Sequence, residues 1–263
     1  MYAFTLERPT TTADAAKLAT SGAKVLAGGQ TLLASMKLRL SDPGQLVDLA
    51  NIKELAGIKR EGNAFVIGAM TRHADVASNA ELKAALPVLA DLASHIGDRQ
   101  VRRMGTLGGS VANNDPAADY PAAVLGLNAT IHTTQRKITA DEFFQGMFTT
   151  ALQDGELITA ISFPIPKRAA YLKFKQPASR FALIGVMVAE TDSGVRVAVT
   201  GAGNGVFRHT GLEQALAKNF TPASAAAVKI DAADISADIH ASAAYRANLI
   251  SVQTQRAVAS LIK

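Results

Sequence analysis

The 263-residue chain is 48% hydrophobic and 5% aromatic, lacks cysteine and tryptophan, and carries 27 basic against 22 acidic side chains, a formal charge of +5. The excess is spread without a block of like charge, and so few aromatics give no stacking platform, so nucleic acid is excluded as the expected partner. Without cysteine the chain has no disulfide, no thiolate nucleophile and no iron–sulfur cluster on its own ligands, so any redox metal centre belongs to another chain.

In chain order, Thr12 to Ser21 reads as a helix stopped by Gly22. Lys24 to Ala27 is a short strand, Leu32 to Leu38 a helix and Gln45 to Leu49 a second strand, a strand–helix–strand unit with a right-handed crossover. Ile58 to Arg60 and Ala64 to Ile67 form a hairpin around Glu-Gly-Asn. Helical patterns follow at Arg72 to Ser78 and Ala80 to His95, the second interrupted by Pro87. Gly105 to Asp119 is a glycine-rich loop, followed by a helix over Tyr120 to Leu127 and strands at Ala129 to Thr133 and Leu157 to Phe163. The Pro164-Ile-Pro166 pair marks a boundary. Beyond it come strands at Tyr171 to Lys175, Phe181 to Glu190 and Val195 to Thr200, a wide turn at Gly201 to Gly205, and helices at Pro222 to Val228 and Ala241 to Ile262. The N-terminus has no basic-then-apolar leader, and about 18 uncharged apolar residues never run together. A cytoplasmic protein without membrane insertion is expected.

Two stretches carry chemistry. Ala27-Gly28-Gly29-Gln30-Thr31 precedes the helix beginning at Leu32, and Gly105-Thr-Leu-Gly-Gly-Ser110 opens the central loop. Each brings bare backbone N–H groups toward an anion, and two such loops suggest a diphosphate. A Gly-Gly pair alone marks an ordinary turn. Neither stretch is a Walker A or a Gly-x-Gly-x-x-Gly fingerprint. His73 and His95 have no Cys, His or carboxylate at metal spacing, so no metal ligand is assigned.

With these stretches, Ile67-Gly-Ala-Met-Thr71, Ile96-Gly-Asp-Arg-Gln-Val-Arg102, Asp115-Pro-Ala-Ala-Asp119, Gly155-Glu-Leu-Ile158, Phe174-Lys-Gln-Pro-Ala-Ser-Arg-Phe181 and Ala198-Val-Thr-Gly-Ala202, the chain resembles the FAD-binding medium subunit of molybdenum hydroxylases, in the carbon-monoxide-dehydrogenase and xanthine-dehydrogenase family. The resemblance implies an α+β chain. A PCMH-type FAD-binding domain of two α/β subdomains (1–55 and 56–166) would be followed by a C-terminal domain (167–263) with a three-stranded antiparallel sheet and helices.

It implies FAD as cofactor, with Ala27, Gly28, Gly29, Gln30, Thr31 and Leu32 and, opposite, Gly105, Thr106, Gly108, Gly109 and Ser110 clamping the pyrophosphate and ribityl chain. Asp119 would accept from sugar hydroxyls and Asn113 add an amide contact. As a residue alone, Asp119 reads equally as the N-cap of the following helix. Leu157 and Ile158 would cover the isoalloxazine, Ala69, Ile96 and Val101 would stand on the cofactor side, and Lys175 would lie near the ring, its other reading being a solvated edge charge. No catalytic residue is assigned. Electrons would arrive from an iron–sulfur small subunit fed by a molybdenum-cofactor large subunit, in a dimer of heterotrimers, and leave to an external acceptor. A self-sufficient PCMH-type flavin oxidoreductase is the alternative.

Overall fold

In the computed structural model, which describes residues 1–262, the first 55 residues make a small parallel sheet. Lys263, the last residue of the third expected unit, lies outside the described residues. Strand β1 (Thr5–Glu7) leads to helix α1 (Thr12–Thr20), whose N-terminus is closed by the Thr11 hydroxyl accepting from the Asp14 N–H. Strand β2 (Lys24–Leu26), helix α2 (Leu32–Lys37) and strand β3 (Gln45–Asp48) complete the unit. The order is β1-β3-β2, both pairings parallel. Strand β1 was not expected, because all three of its residues are exposed and give no alternating pattern.

The second unit is a five-stranded antiparallel sheet with helices packed on it. Strands β4 (Ile58–Glu61) and β5 (Ala64–Gly68) form the expected hairpin. Six helices follow: α3 (His73–Ser78), α4 (Ala80–Ala85), α5 (Pro87–Ser94), α6 (Arg99–Met104), α7 (Leu107–Asn113) and α8 (Tyr120–Gly126). Then come β6 (Thr130–Thr133), β7 (Lys137–Thr139), the short α9 (Ala140–Phe143), the hairpin β8 (Phe144–Gly146) with β9 (Thr149–Thr150), and β10 (Ile158–Pro164). The sheet order β4-β5-β10-β6-β7 puts the last strand in the middle. There Phe163 faces Phe65 and Ile161 faces Ile67 across the ladder, and all four are fully buried. Pro87 divides the expected long helix by opening α5, where its missing N–H costs nothing.

The C-terminal unit contains β11 (Arg168–Lys175), β12 (Ala182–Thr191), β13 (Gly194–Thr200), the two-residue β14 (Phe207–Arg208), and helices α10 (Thr210–Lys218), α11 (Pro222–Ala226) and α12 (Ala243–Leu261). Three long antiparallel strands carry the sheet, with β14 added at one edge beyond the Gly201 to Gly205 turn. Strand β12 is buried on both faces. Its period of two sends Ile184, Val186 and Val188 into the core that includes Leu249 and Ile250 of α12, and Met187 and Ala189 into the core of the second unit. Gly126 of α8 makes room for this: a Cβ there would lie 2.5 Å from Met187 Cγ.

Candidate cofactor site

The two glycine stretches lie against each other. A Cβ on Gly28 would stand 2.2 Å from the Met104 carbonyl oxygen, and one on Gly109 would reach 3.4 Å from the Ala27 Cβ. Ala69 is in the same place, because its carbonyl accepts from the Gly108 N–H at 2.8 Å and a Cβ on Gly108 would meet the Ala69 Cβ at 2.5 Å. Val101 joins them through its carbonyl, which accepts from the Gly105 N–H at 2.7 Å.

The stretches differ in what they offer. In the first, Gly29 sits at φ +70°, and among the described residues the N–H groups of Gly28, Gly29, Gln30 and Thr31 find no acceptor. These four donors, at the start of α2 and beside the Thr31 hydroxyl, suit a pyrophosphate. The second stretch is not the bare loop expected. From Leu107 it is helix α7, capped by Thr106 Oγ1, which accepts from the Gly109 N–H at 3.2 Å. The Leu107, Gly108 and Ser110 N–H groups donate to Thr71, Ala69 and Thr106 carbonyls, so this stretch keeps a free N–H only at Thr106 among the described residues. Glycine in the helix is explained by the closeness of Ala69, which outweighs its poor propensity.

Asp119 is buried, and both of its carboxylate oxygens are held within the chain. Tyr171 Oη donates to Oδ1 at 2.6 Å and Lys173 Nζ to Oδ2 at 2.8 Å, while Nζ also donates to the His95 carbonyl at 3.2 Å. Burial pushes the Asp119 carboxyl above its ordinary value, against the pull of Lys173 and Tyr171. Asp119 precedes α8 but its side chain caps nothing, so the cap reading does not hold. Beside it, His73 and Tyr120 pack ring to ring at 5.3 Å, each with a buried polar atom lacking a partner among the described residues. Burial, with Arg102 adding to it, lowers the His73 pKa from 6.5 to about 4.

The remaining expected residues are dispersed. Leu157 packs into the small core with Ala15, Val47 and Leu55, Ile158 packs into the core of the second unit, and Ile96 lies at that core's edge. Asn113 ends α7 half-buried. Lys175 is exposed on a separate cleft of about 390 Å³ with His95, Arg102, Gln176 and Arg180. A larger cleft, about 700 Å³, is lined by Thr12, Lys17, Glu54, Thr134 and Thr159. Neither cleft includes a residue of the glycine stretches.

Three residues escaped the sequence reading: Tyr171, Lys173 and Asn114. Asn114 sits at φ +44°, and its Nδ2 donates to the Gly146 and Thr149 carbonyls at 2.7 and 2.8 Å. The Asn-Asn pair after a helix was the available signal, since Asn adopts left-handed C-terminal positions. Among the described residues no group of three His, Asp or Glu could hold a metal, and no helix is long and apolar enough to cross a membrane.

Comparison with known proteins gives the chain relatives along most of its length. Residues 2–166 match the model of the FAD binding domain in molybdopterin dehydrogenase. The carbon monoxide dehydrogenase medium chain of Afipia carboxidovorans is 42% identical over 202 residues, 73% of this chain and 70% of the relative. That of Hydrogenophaga pseudoflava is 35% identical over 254 residues, 90% and 88% of the two chains. The reconstituted CO dehydrogenase from Oligotropha carboxidovorans superposes with a TM-score of 0.92 at 33% identity, covering 98% of this chain and 97% of the other.

Proposed function

The chain belongs to the family of FAD-binding domains in molybdopterin dehydrogenases, as the FAD-binding medium subunit of a molybdenum hydroxylase, and from that premise we propose that it relays electrons from a partner's iron–sulfur clusters to an external acceptor. The observation that carries the reading is the row of four N–H groups from Gly28 to Thr31 that find no acceptor among the described residues, on a segment whose Gly28 packs against the Met104 and Gly105 main chain. When bound, FAD supplies the redox chemistry; the protein supplies placement and electrostatics.

The proposed holding set is Ala27 to Leu32 with Thr106 and Ser110 on the diphosphate side. Gly105, Gly108, Gly109, Ala69 and Val101 act by letting the two segments pack closely. Asp119 and Asn113 stand behind them. Lys175, Ile96, Leu157 and Ile158 are proposed for the ring end by resemblance. We take 1–55, 56–166 and 167–263 as the three units, a cytoplasmic setting, and a dimer of heterotrimers with iron–sulfur and molybdenum subunits.

Two experiments test this. Apoprotein titrated with FAD and FMN should discriminate strongly for FAD, because the diphosphate is what the first segment recognises; equal affinities would sink that assignment. A tagged chain recovered from its native host should bring molybdenum and iron with it, and substrate should reduce its flavin. A chain recovered alone, with flavin reduced directly by an organic substrate at a catalytic rate, would favour the self-sufficient oxidoreductase.

A further inference from the structure

The match to the FAD-binding family ends at residue 166, yet the ion pair whose two side chains are the most buried among the described residues reaches beyond it. Lys173, on β11, is 3% exposed in its side chain and Asp119 is 4%. A pair so fully withdrawn from water is a poor source of stability, since apolar residues of like volume serve a core as well or better. Its geometry shows what else it does. The Lys173 ammonium holds the Asp119 carboxylate and the His95 carbonyl together, and Tyr171 fixes the second carboxylate oxygen. His95 is the C-cap of α5, directly before the stretch from Ile96 to Val101, and Asp119 ends the stretch that begins at Gly105. The two stretches are joined through α6, whose last hydrogen bond runs from the Gly105 N–H to the Val101 carbonyl, and Gly105 in turn packs against Gly28.

We propose that Lys173, with Tyr171, is a positioning residue for FAD: from the C-terminal sheet it ties the His95 carbonyl, before α6, to Asp119, at the far end of the segment that starts at Gly105 and packs there against Gly28. This rests on the cofactor reading above. Lys173 acts through Asp119 and His95 and not by touching the diphosphate. The FAD site therefore depends on side chains that lie outside the FAD-binding domain as its family model defines it.

The test uses the full chain, with FAD affinity read from flavin fluorescence, flavin placement from visible circular dichroism, and folding from the melting of apoprotein. Lys173→Met/Asp119→Leu replaces the pair by apolar groups, and Tyr171→Phe removes one hydroxyl while keeping both charges. The double variant is expected to melt close to wild type yet bind FAD at least tenfold more weakly, with an altered visible dichroic spectrum. Tyr171→Phe is expected to fold, to lose several-fold in affinity and to shift the spectrum the same way. Wild-type affinity and spectrum in folded Tyr171→Phe, or in a folded double variant, would overturn the proposal. A wild-type chain that takes up no FAD would instead overturn the cofactor reading on which it rests.

Discussion

Gly28 and Gly105 meet backbone to backbone: a Cβ on Gly28 would lie 2.7 Å from the Gly105 Cα, closer than real Cβ atoms approach. The neighbour is main chain, so it has no rotamer through which to yield. Gly28→Ala should therefore part the two segments, lowering stability by about 1–3 kcal/mol, as overpacking does, and FAD affinity at least tenfold. Gly44→Ala, at φ +64° with nothing within 4 Å, is the control for simple backbone strain. It should cost stability and leave flavin affinity unchanged in the same titration.

His73 predicts an acid-sensitive fold. Its folded pKa is lowered from 6.5 to about 4, so between those values the unfolded chain binds a proton that the folded chain does not. Stability should fall as pH drops through that window, by about 3 kcal/mol in all at roughly 1.4 kcal/mol per pKa unit, and this contribution should level off below it. Denaturant unfolding at pH 7 and near pH 4.5 measures the slope, which His73→Gln should flatten.

Asn114 anchors the β8–β9 hairpin to the end of α7 through two side-chain hydrogen bonds. Asn114→Ala removes both and leaves an alanine in the left-handed region, so a loss of about 2–3 kcal/mol is expected. Asn114→Gly should recover the backbone share alone. Protease nicking at the exposed Met147–Phe148 tip, followed with time, should accelerate in both, more in the alanine variant.

Arg196, 6% exposed in its side chain, donates from Nε to the Leu125 carbonyl at 2.9 Å and from its guanidinium to Asp141. Removing its partner leaves a cation stranded against α8. Asp141→Ala should lower stability by about 1–3 kcal/mol, discounted because Asp141 is itself half-exposed. In the Arg196→Met background the same change should cost much less, as a double-mutant cycle by denaturant unfolding would show.

What could be read from the residues was what periodicity and turn chemistry record. The hairpin at Glu61 to Ala64, the break at Pro87 and the long strands β12 and β13 are local signals strong enough to survive tertiary packing. Helix α7 was not legible, because two adjacent glycines argue for a loop, and only the proximity of Ala69 to Gly108 gives them a reason to be helical. The chosen lysine shows the limit for the site. Lys173 and Lys175 are two apart on one strand, and sequence position favoured the second. The register shift between Phe174 and Lys175 leaves Lys175 exposed, whereas Lys173 is buried by its meeting with Asp119, 54 residues away in the chain. No local pattern encodes such a meeting.

The unequal hydrogen bonding of the two glycine segments has a kinetic consequence. Amides at Leu107 to Ser110 are already bonded, so their exchange with deuterated water is slow whether or not cofactor is present. Those from Gly28 to Thr31 find no acceptor among the described residues, and a bound diphosphate would slow them. A mass-spectrometric exchange profile of this chain would therefore carry its own internal reference beside its own sensor. The ratio of the two peptides would report the fraction of molecules carrying FAD, even in a colourless or photobleached sample.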